Sequence, residues 1–489
     1  MVDTTLEDKI ADFLVDGVCT VQPSSMTARD HLGLYADAAA VYATGRSNGS
    51  RRNHLDLYGD DGLRQSIPDI DRLLADPAVV ETLEALMGED YVVHTHCYLH
   101  DASTRDQVFH QDGNLPWNER GHYRPHRPEW ALLFYYPQEV TLENGPTEVA
   151  LGTHYWTKDF ERSDGTWAPA DSLGASFRDE VMQSDDREAR DRRNTEALES
   201  LGVPGVERRF MTVPAGTVAI CSYDVVHRGS RQLPDQPDRF LFKFCISRAR
   251  SPRASQRAIG GRSVRPELEP VLSYCDTWLS AAARPPSDGV PDSTHLFEGR
   301  EDQKVACAYE LAAAGDVVTL TAGLVHNVES VRRASGYGLR AGGPEAIHAL
   351  IRLAGHPSAT TRRPACFALG NDENAGDEQV IEVLVGALAD PDDLVRSNAA
   401  SALGQLSRGP LEDPQRVFDE LLKRLHPDIE ADNSTEFGLP RSTVRGSLAH
   451  AALLLATNHA VAVDTPTDLT EDRDRYVAGP FREIARRLT

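Results

Sequence analysis

Apolar positions come in short runs before residue 285 and recur at helical spacing after it. "YVVHTHCYL" (91–99), "WALLFYYP" (130–137), "GTVAICSY" (216–223) and "RFLFKFCIS" (239–247) are β-branched and aromatic and bounded by turn residues, which predicts strands. Between the second and third, the charged stretch "DDREARDRRNTEALES" (185–200) predicts a helical insert. Short strands joined by long, irregular connections point to a β-sandwich or barrel decorated with helices.

The stretch "ARPPSDGVPDSTHLFEGR" (283–300) is rich in Pro, Gly, Ser and Asp and suits a linker. Beyond it a motif repeats: "QKVACAYEL" at 303, "VRRASGYGL" at 331, "TRRPACFALG" at 361, "VRSNAASALG" at 395, and a weaker "VRGSLAHAALLLA" at 444. In four copies a leucine falls eight residues after the first position, at Leu311, Leu339, Leu369 and Leu403. Helix pairs of this length stack into an α-solenoid, each unit burying its apolar face on the next. The copies resemble HEAT repeats, in which an Asp–Pro turn and a V-R…A…A-L-G helix recur. The expected organisation is a β domain over 1–284, a linker over 285–300 and an all-α HEAT-like solenoid over 301–489. A polar linker implies that the β domain folds without the solenoid if its own apolar faces are covered internally, although the first solenoid helix could pack on it.

Composition narrows the function classes. A chain of 489 residues with 40% hydrophobic and 26% charged positions is globular and long enough for two or three domains. Its formal net charge of −24 repels nucleic-acid backbones and anionic membrane surfaces, so neither is expected as a partner. Lysine occurs only at positions 9, 158, 243, 304 and 423. The seven cysteines are scattered, odd in number and never C-x-x-C, which argues against a disulfide framework and for a reducing interior. No apolar h-region opens the chain and no run of eighteen apolar residues exists, so a cytoplasmic protein is expected.

Candidate chemistry begins at "HQDGNLPWNERGHY" (110–123), where a strand would carry His110 and Asp112 on one face. A third ligand comes from "VPAGTVAICSYDVVHRGS" (213–230), whose buried strand ends near His227. Two histidines and one carboxylate leave coordination sites open, the arrangement of non-haem Fe(II) oxygenases. Those sites ask for a co-substrate. 2-Oxoglutarate would chelate through its keto-acid end, and its far carboxylate would need a planar cationic fork. Arg239, twelve residues past His227, opens the next strand, and a hairpin returning along the His227 strand would aim it into the same barrel. Trp117, on the loop leaving the H-x-D motif, is a candidate wall of the substrate pocket. A rival metal set, His94, His96 and Asp101, resembles a first cupin motif. Its second motif fails, because Pro214 and Gly216 lie eleven or more residues before His227. No Walker loop, Rossmann fingerprint or Gly-x-Ser-x-Gly elbow appears.

Four stretches in order resemble the phytanoyl-CoA dioxygenase family of Fe(II)/2-oxoglutarate oxygenases over roughly residues 5–255: "FLVDGVCTV", "HQDG", "ENGPTEVALGTHYW", and "GTVAICSYDVVHRGS" with "DRFLFKF". The resemblance implies a double-stranded β-helix (a jelly-roll, cupin-like barrel) with flanking helices. It makes His110, Asp112 and His227 the Fe(II) ligands and Arg239 the anchor of 2-oxoglutarate. Thr95, with His94 or His96 as alternatives, takes the place of the family's polar 2-oxoglutarate contact. Two departures stand out: the family's P-G-S-H is "LGTH", which retains Gly152, and a serine often found two residues after the last histidine is Gly229. Asp112 is kept where halogenating relatives have a small residue. The implied activity is therefore O2-dependent hydroxylation, or another C–H oxidation, of a small-molecule metabolite such as a biosynthetic intermediate, with release of succinate and CO2. Two roles follow for the solenoid: stabilising the enzyme or mediating protein contact or self-association, or else recruiting a macromolecule for modification.

Overall fold

The computed structural model describes residues 5–488 apart from 48–53, 56–61, 103–104, 113–122, 162–172, 174–179, 253–261, 263, 281–290, 426–434, 437–438, 441–442 and 464–466. The chain opens with helix α1 (Leu6–Asp16), started by a Thr5–Asp8 capping box and stopped by Gly17 at φ 82°, where glycine is least strained. Strand β1 (Val18–Val21) follows, then α2 (Ala28–Ser47), β2 (His54–Leu55), α3 (Pro77–Met87), β3 (Val92–Asp101), β4 (Trp130–Tyr135) and β5 (Thr147–Ala150). Helix α4 (Arg187–Glu199) is the charged insert. Strands β6 (Arg208–Phe210), β7 (Val218–Ser222), β8 (His227–Gly229) and β9 (Phe240–Ser247) lead to α5 (Glu269–Leu279).

The strands form two antiparallel sheets. The larger runs β1-β7-β4-β9-β3-β2 and the smaller β6-β5-β8. Side chains alternate across the large sheet. One set, including Leu132, Phe134, Cys221 and Cys245, packs with Val149 of the small sheet. The other set, including Leu133, Tyr135, Phe242 and Phe244, packs on Phe13, Leu34 and Leu83 of the flanking helices. All seven cysteines are buried thiols outside any disulfide.

One expected connection is different. β8 pairs with β5 in the small sheet, whereas β9 pairs with β3 and β4 in the large one. The segment after His227 therefore crosses between sheets and does not form a hairpin. Arg239 still reaches the inter-sheet space, because alternation along β9 gives residues 239, 241, 243 and 245 one face and Leu241 and Cys245 lie in the inter-sheet core.

The repeat region is built as its leucines predict. Its helices are α6 (Glu301–Ala313), α7 (Val317–Leu324), α8 (Glu329–Arg340), α9 (Pro344–Ala354), α10 (Ala359–Leu369), α11 (Glu378–Ala387), α12 (Asp393–Leu406), α13 (Pro414–Lys423), α14 (Thr443–Asn458) and α15 (Arg475–Leu488). Leu311, Leu339, Leu369 and Leu403 are at most 1% exposed. Helices α6, α8, α10, α12, α14 and α15 pack in succession as one row. Of the expected linker, residues 285–290 lie outside the described residues, while 294–298 form a short helix whose Leu296 is buried in the repeat core.

That row of helices lies on the β domain. Tyr309 of α6 hydrogen-bonds the His126 ring at 2.8 Å, and the Tyr337 hydroxyl of α8 accepts from the Arg124 amide at 2.8 Å. Arg333 of α8 donates to the Thr157 carbonyl at 3.3 Å. After α10, Asn371 and Asp372 accept from Arg127 at 3.0 and 2.8 Å. After α12, Arg408 pairs with Glu129 at 2.5 Å and donates to the Arg248 carbonyl at 2.9 Å. Asn458 of α14 donates to the Ala249 carbonyl at 2.9 Å, and α15 sends Tyr476 into the inter-sheet core. Every helix of the row, or the turn that follows it, reaches the β domain, so the polar linker is no energetic boundary. Among the described residues no helix is long and apolar enough to cross a membrane.

Candidate metal centre and co-substrate site

His110 and His227 face each other across an isolated antiparallel bridge. Each amide donates to the other's carbonyl at 3.0 Å, which fixes the two Cα atoms, and the ring centroids lie 4.6 Å apart. Each ring is oriented from behind: Nδ1 of His110 bonds the Val108 carbonyl at 2.9 Å, and Nδ1 of His227 the Val225 carbonyl at 3.0 Å. The Nδ1–H tautomer makes Nε2 the lone-pair donor of each ring. Both point at one carboxylate, with His110 Nε2 3.9 Å from Asp112 Oδ1 and His227 Nε2 3.9 Å from Asp112 Oδ2. Among the described residues these three form the one group of His, Cys, Asp or Glu side chains close enough to hold an ion, their ligand atoms within 4.8 Å.

The electrostatics suit a cation. Burial raises the Asp112 pKa, but the Lys243 ammonium, its largest opposing influence, holds the carboxyl below the usual range. Burial pushes His227 down to about 4 against the pull of Asp112, so at neutral pH it is an uncharged ligand. Neighbouring segments brace the set. Gln111 donates to the carbonyls of Trp156 and Asp224, both at 2.8 Å, and Arg124 locks Gln111 to Asp224 at 2.9 and 2.5 Å. The Thr153 hydroxyl accepts from the Val226 amide at 3.0 Å, next to His227. It is delivered by the turn at Gly152 (φ 69°), where a Cβ would lie 3.2 Å from the Val15 carbonyl. Thus the retained glycine and the Thr of "LGTH" both serve the His227 strand. At Gly229 the space of a side chain is taken by Gln107, which accepts the Gly229 amide at 2.7 Å.

Arg239 is 4% exposed, and its Nε and Nη1 have no hydrogen-bond partner among the described residues. Burial lowers its pKa, opposed by Tyr136, Asp101 and Tyr42. A buried guanidinium with orphaned donors is costly unless an anion completes it. A facial His/Asp/His set and a buried cationic fork in the same inter-sheet space together fit an iron ion and 2-oxoglutarate.

Other expected site residues fare differently. Thr95 is not brought to the triad: its hydroxyl donates to the Arg475 carbonyl at 3.3 Å, and its methyl meets Gly479 of α15, where a Cβ would come within 1.8 Å. Trp117 lies outside the described residues. His94 stacks on Tyr476 at 5.8 Å and meets Trp130 edge-on at 5.5 Å, away from the ligand group. The missed residue is Lys243, whose ammonium donates to Asp112 Oδ2. Its signal was present: it stands four residues after Arg239 and so on the same strand face.

The fold and the site together define a two-sheet β domain with a candidate mononuclear metal site, joined to a helical repeat array. A family model described as HEAT repeats matches residues 317–404 and 347–432. Among solved structures the chain is similar to AviO1 from Streptomyces viridochromogenes Tue57, with 14% identity, 52% of this chain and 100% of that one covered, and a TM-score of 0.34. It is also similar to the epimerase SnoN, solved with Fe3+, alpha ketoglutarate and nogalamycin RO (14% identity, 53% and 92% covered, TM-score 0.33). A third is HygX from Streptomyces hygroscopicus, with nickel and 2-oxoglutarate bound (14% identity, 53% and 94% covered, TM-score 0.32). No curated protein sequence matches.

Proposed function

We propose that this protein is an Fe(II)- and 2-oxoglutarate-dependent dioxygenase of the phytanoyl-CoA dioxygenase type, built on a jelly-roll barrel, that oxidises a C–H bond of a small molecule. The observation behind this reading is the pairing of two pre-oriented Nε2 atoms and one ionised carboxylate with a buried, orphaned guanidinium in one inter-sheet space. Iron and 2-oxoglutarate, when bound, supply the oxidising power, with O2 consumed and succinate and CO2 released. The chain's own contribution is position: His110, Asp112 and His227 hold the metal on one side, and Arg239 holds the far carboxylate of the co-substrate. The apolar walls from Leu132, Phe134, Val149 and Cys245 exclude bulk water.

The repeat row that would offer a recruiting surface is turned onto the β domain, with all twelve residues of α8 buried. That favours a small substrate over a macromolecule held by the repeats. The test is anaerobic metal binding: one Fe(II) per chain is expected for the wild type and none for His227→Ala. Equal tight binding by both sinks the assignment. Screening extracts for a 2-oxoglutarate-dependent mass gain of one oxygen then names the substrate.

A further inference from the structure

Lys243 is 6% exposed, and among the described residues it is the one buried lysine; the other buried non-histidine bases are arginines. Its Nζ donates to Asp112 Oδ2 and lies 6.0 Å from the Tyr98 ring centroid and 5.9 Å from that of Phe134. Tyr98 is held in turn by Arg475 of α15, which donates to its hydroxyl at 2.8 Å. The ammonium is therefore clamped between two aromatic faces and the carboxylate. A compact ammonium suits this place: it neutralises Asp112 from one side without a planar fork filling the space between the three ligands.

Asp112 is then shared between two cations once a metal is bound. A fixed positive charge beside a dication opposes it, and the opposition eases when an anion joins the metal. We propose that Lys243 is a built-in counter-ion for Asp112, which keeps the ligand set assembled without metal, weakens binding of the bare dication, and makes metal and 2-oxoglutarate bind cooperatively. Because binding free energies are linked, 2-oxoglutarate tightens the metal by the same factor that metal tightens 2-oxoglutarate. Arg239 meets the far carboxylate of the co-substrate; Lys243 sets the charge that its metal-side carboxylate meets. This rests on the reading of the triad as a metal site with 2-oxoglutarate beside it.

The experiment uses the full chain and Mn(II) as an oxygen-insensitive probe, with affinity measured by calorimetry or by the spin-resonance signal of free Mn(II). Lys243→Met should bind Mn(II) roughly tenfold or more tightly than wild type without 2-oxoglutarate. The gain on adding 2-oxoglutarate should shrink in the variant. Its metal-free form should melt at lower temperature, because a buried carboxylate has lost its partner. Lys243→Gln keeps a donor without the charge and should retain the tighter metal binding with less loss of stability. Lys243→Arg keeps the positive charge and adds the bulk of a planar fork, so it should bind Mn(II) no more tightly than wild type. If Lys243→Met and Lys243→Gln both bind Mn(II) no more tightly than wild type, while His227→Ala loses it, the counter-ion is refuted and the metal site stands. If His227→Ala binds Mn(II) like wild type, the metal site itself is refuted, and the inference with it.

Discussion

The metal centre and the seam between sheet and repeats are both buried and polar, yet they are built on opposite plans. The centre draws on two short segments, 108–112 and 225–227, fixed by two backbone hydrogen bonds and two ring-to-carbonyl contacts. The seam spreads its contacts over the six helices of the row and the turns that follow them, from Tyr309 to Tyr476. A site of the first kind is lost by one substitution with little effect on the fold. A surface of the second kind resists single changes and fails when a whole layer is removed.

The largest effect expected is therefore that of removing the layer. A chain ending at residue 300 leaves Tyr135, Val203 and Leu272 in a core that has lost Val305, Tyr309 and Tyr337, and strips the inter-sheet core of Tyr476. We expect no cooperative thermal transition and no stoichiometric metal binding from it. A folded fragment that binds one metal ion would erase the distinction drawn here, since the seam would then be a docked surface and not a shared core.

Next in size is Arg333→Met. This guanidinium, its side chain 1% exposed, pairs with Glu301 at 2.9 Å and Glu329 at 3.3 Å and donates to the Thr157 carbonyl. Removing it leaves two buried carboxylates without their cation, which costs about 3–5 kcal/mol of stability. Chemical denaturation should show that loss while metal stoichiometry stays at the wild-type value. The converse variant is Arg239→Met. Calorimetric affinity for 2-oxoglutarate should fall about a hundredfold, equivalent to about 3 kcal/mol. Its fold should be no less stable, because an orphaned buried charge is replaced by an apolar side chain. The two variants separate the regions: one moves stability alone, the other ligand binding alone.

The same difference explains what the sequence made legible. H-x-D has a spacing that a strand converts directly into a shared face, and His227 follows an apolar run, so the three side chains that meet could be named from pattern as candidate ligands. The strands were recognisable because aromatic and β-branched residues cluster in them, and the repeats because Leu311, Leu339, Leu369 and Leu403 recur in phase. The β8–β9 crossover was not legible, since a turn rich in Pro and Asp looks alike whether it returns along its own sheet or passes to the other. Lys243 was overlooked because its partner is 131 positions away. Beyond a first repeat helix that could pack on the β domain, the seam was not legible for a related reason. Tyr337, Arg333 and Arg408 read as ordinary repeat residues until the β domain is placed beneath them, and a Pro/Gly-rich connection reports local stiffness, not whether the flanking surfaces meet.

The smallest effect is a pH signature carried by the seam. His126 bonds Tyr309 through Nδ1 and the Tyr155 carbonyl through Nε2, and burial pushes its pKa from 6.5 down to about 3. A histidine depressed in the folded state takes up its proton only on unfolding within that window. Its contribution to stability is present above about pH 6.5 and is lost as pH falls toward 3. One such group gives a slope of up to about 1.4 kcal/mol per pH unit. His154 and His450, also lowered to about 3 by burial, add slopes of the same sign. Replacing His126 with Gln keeps a donor and an acceptor but removes the titration. Denaturation midpoints between pH 6.5 and 4.5 should then fall less steeply than in the wild type, by about one proton's worth of slope. Because His126 touches a repeat helix and no metal ligand, metal affinity at pH 7 should not follow. A parallel drop in metal affinity would mean that seam and centre are one cooperative unit.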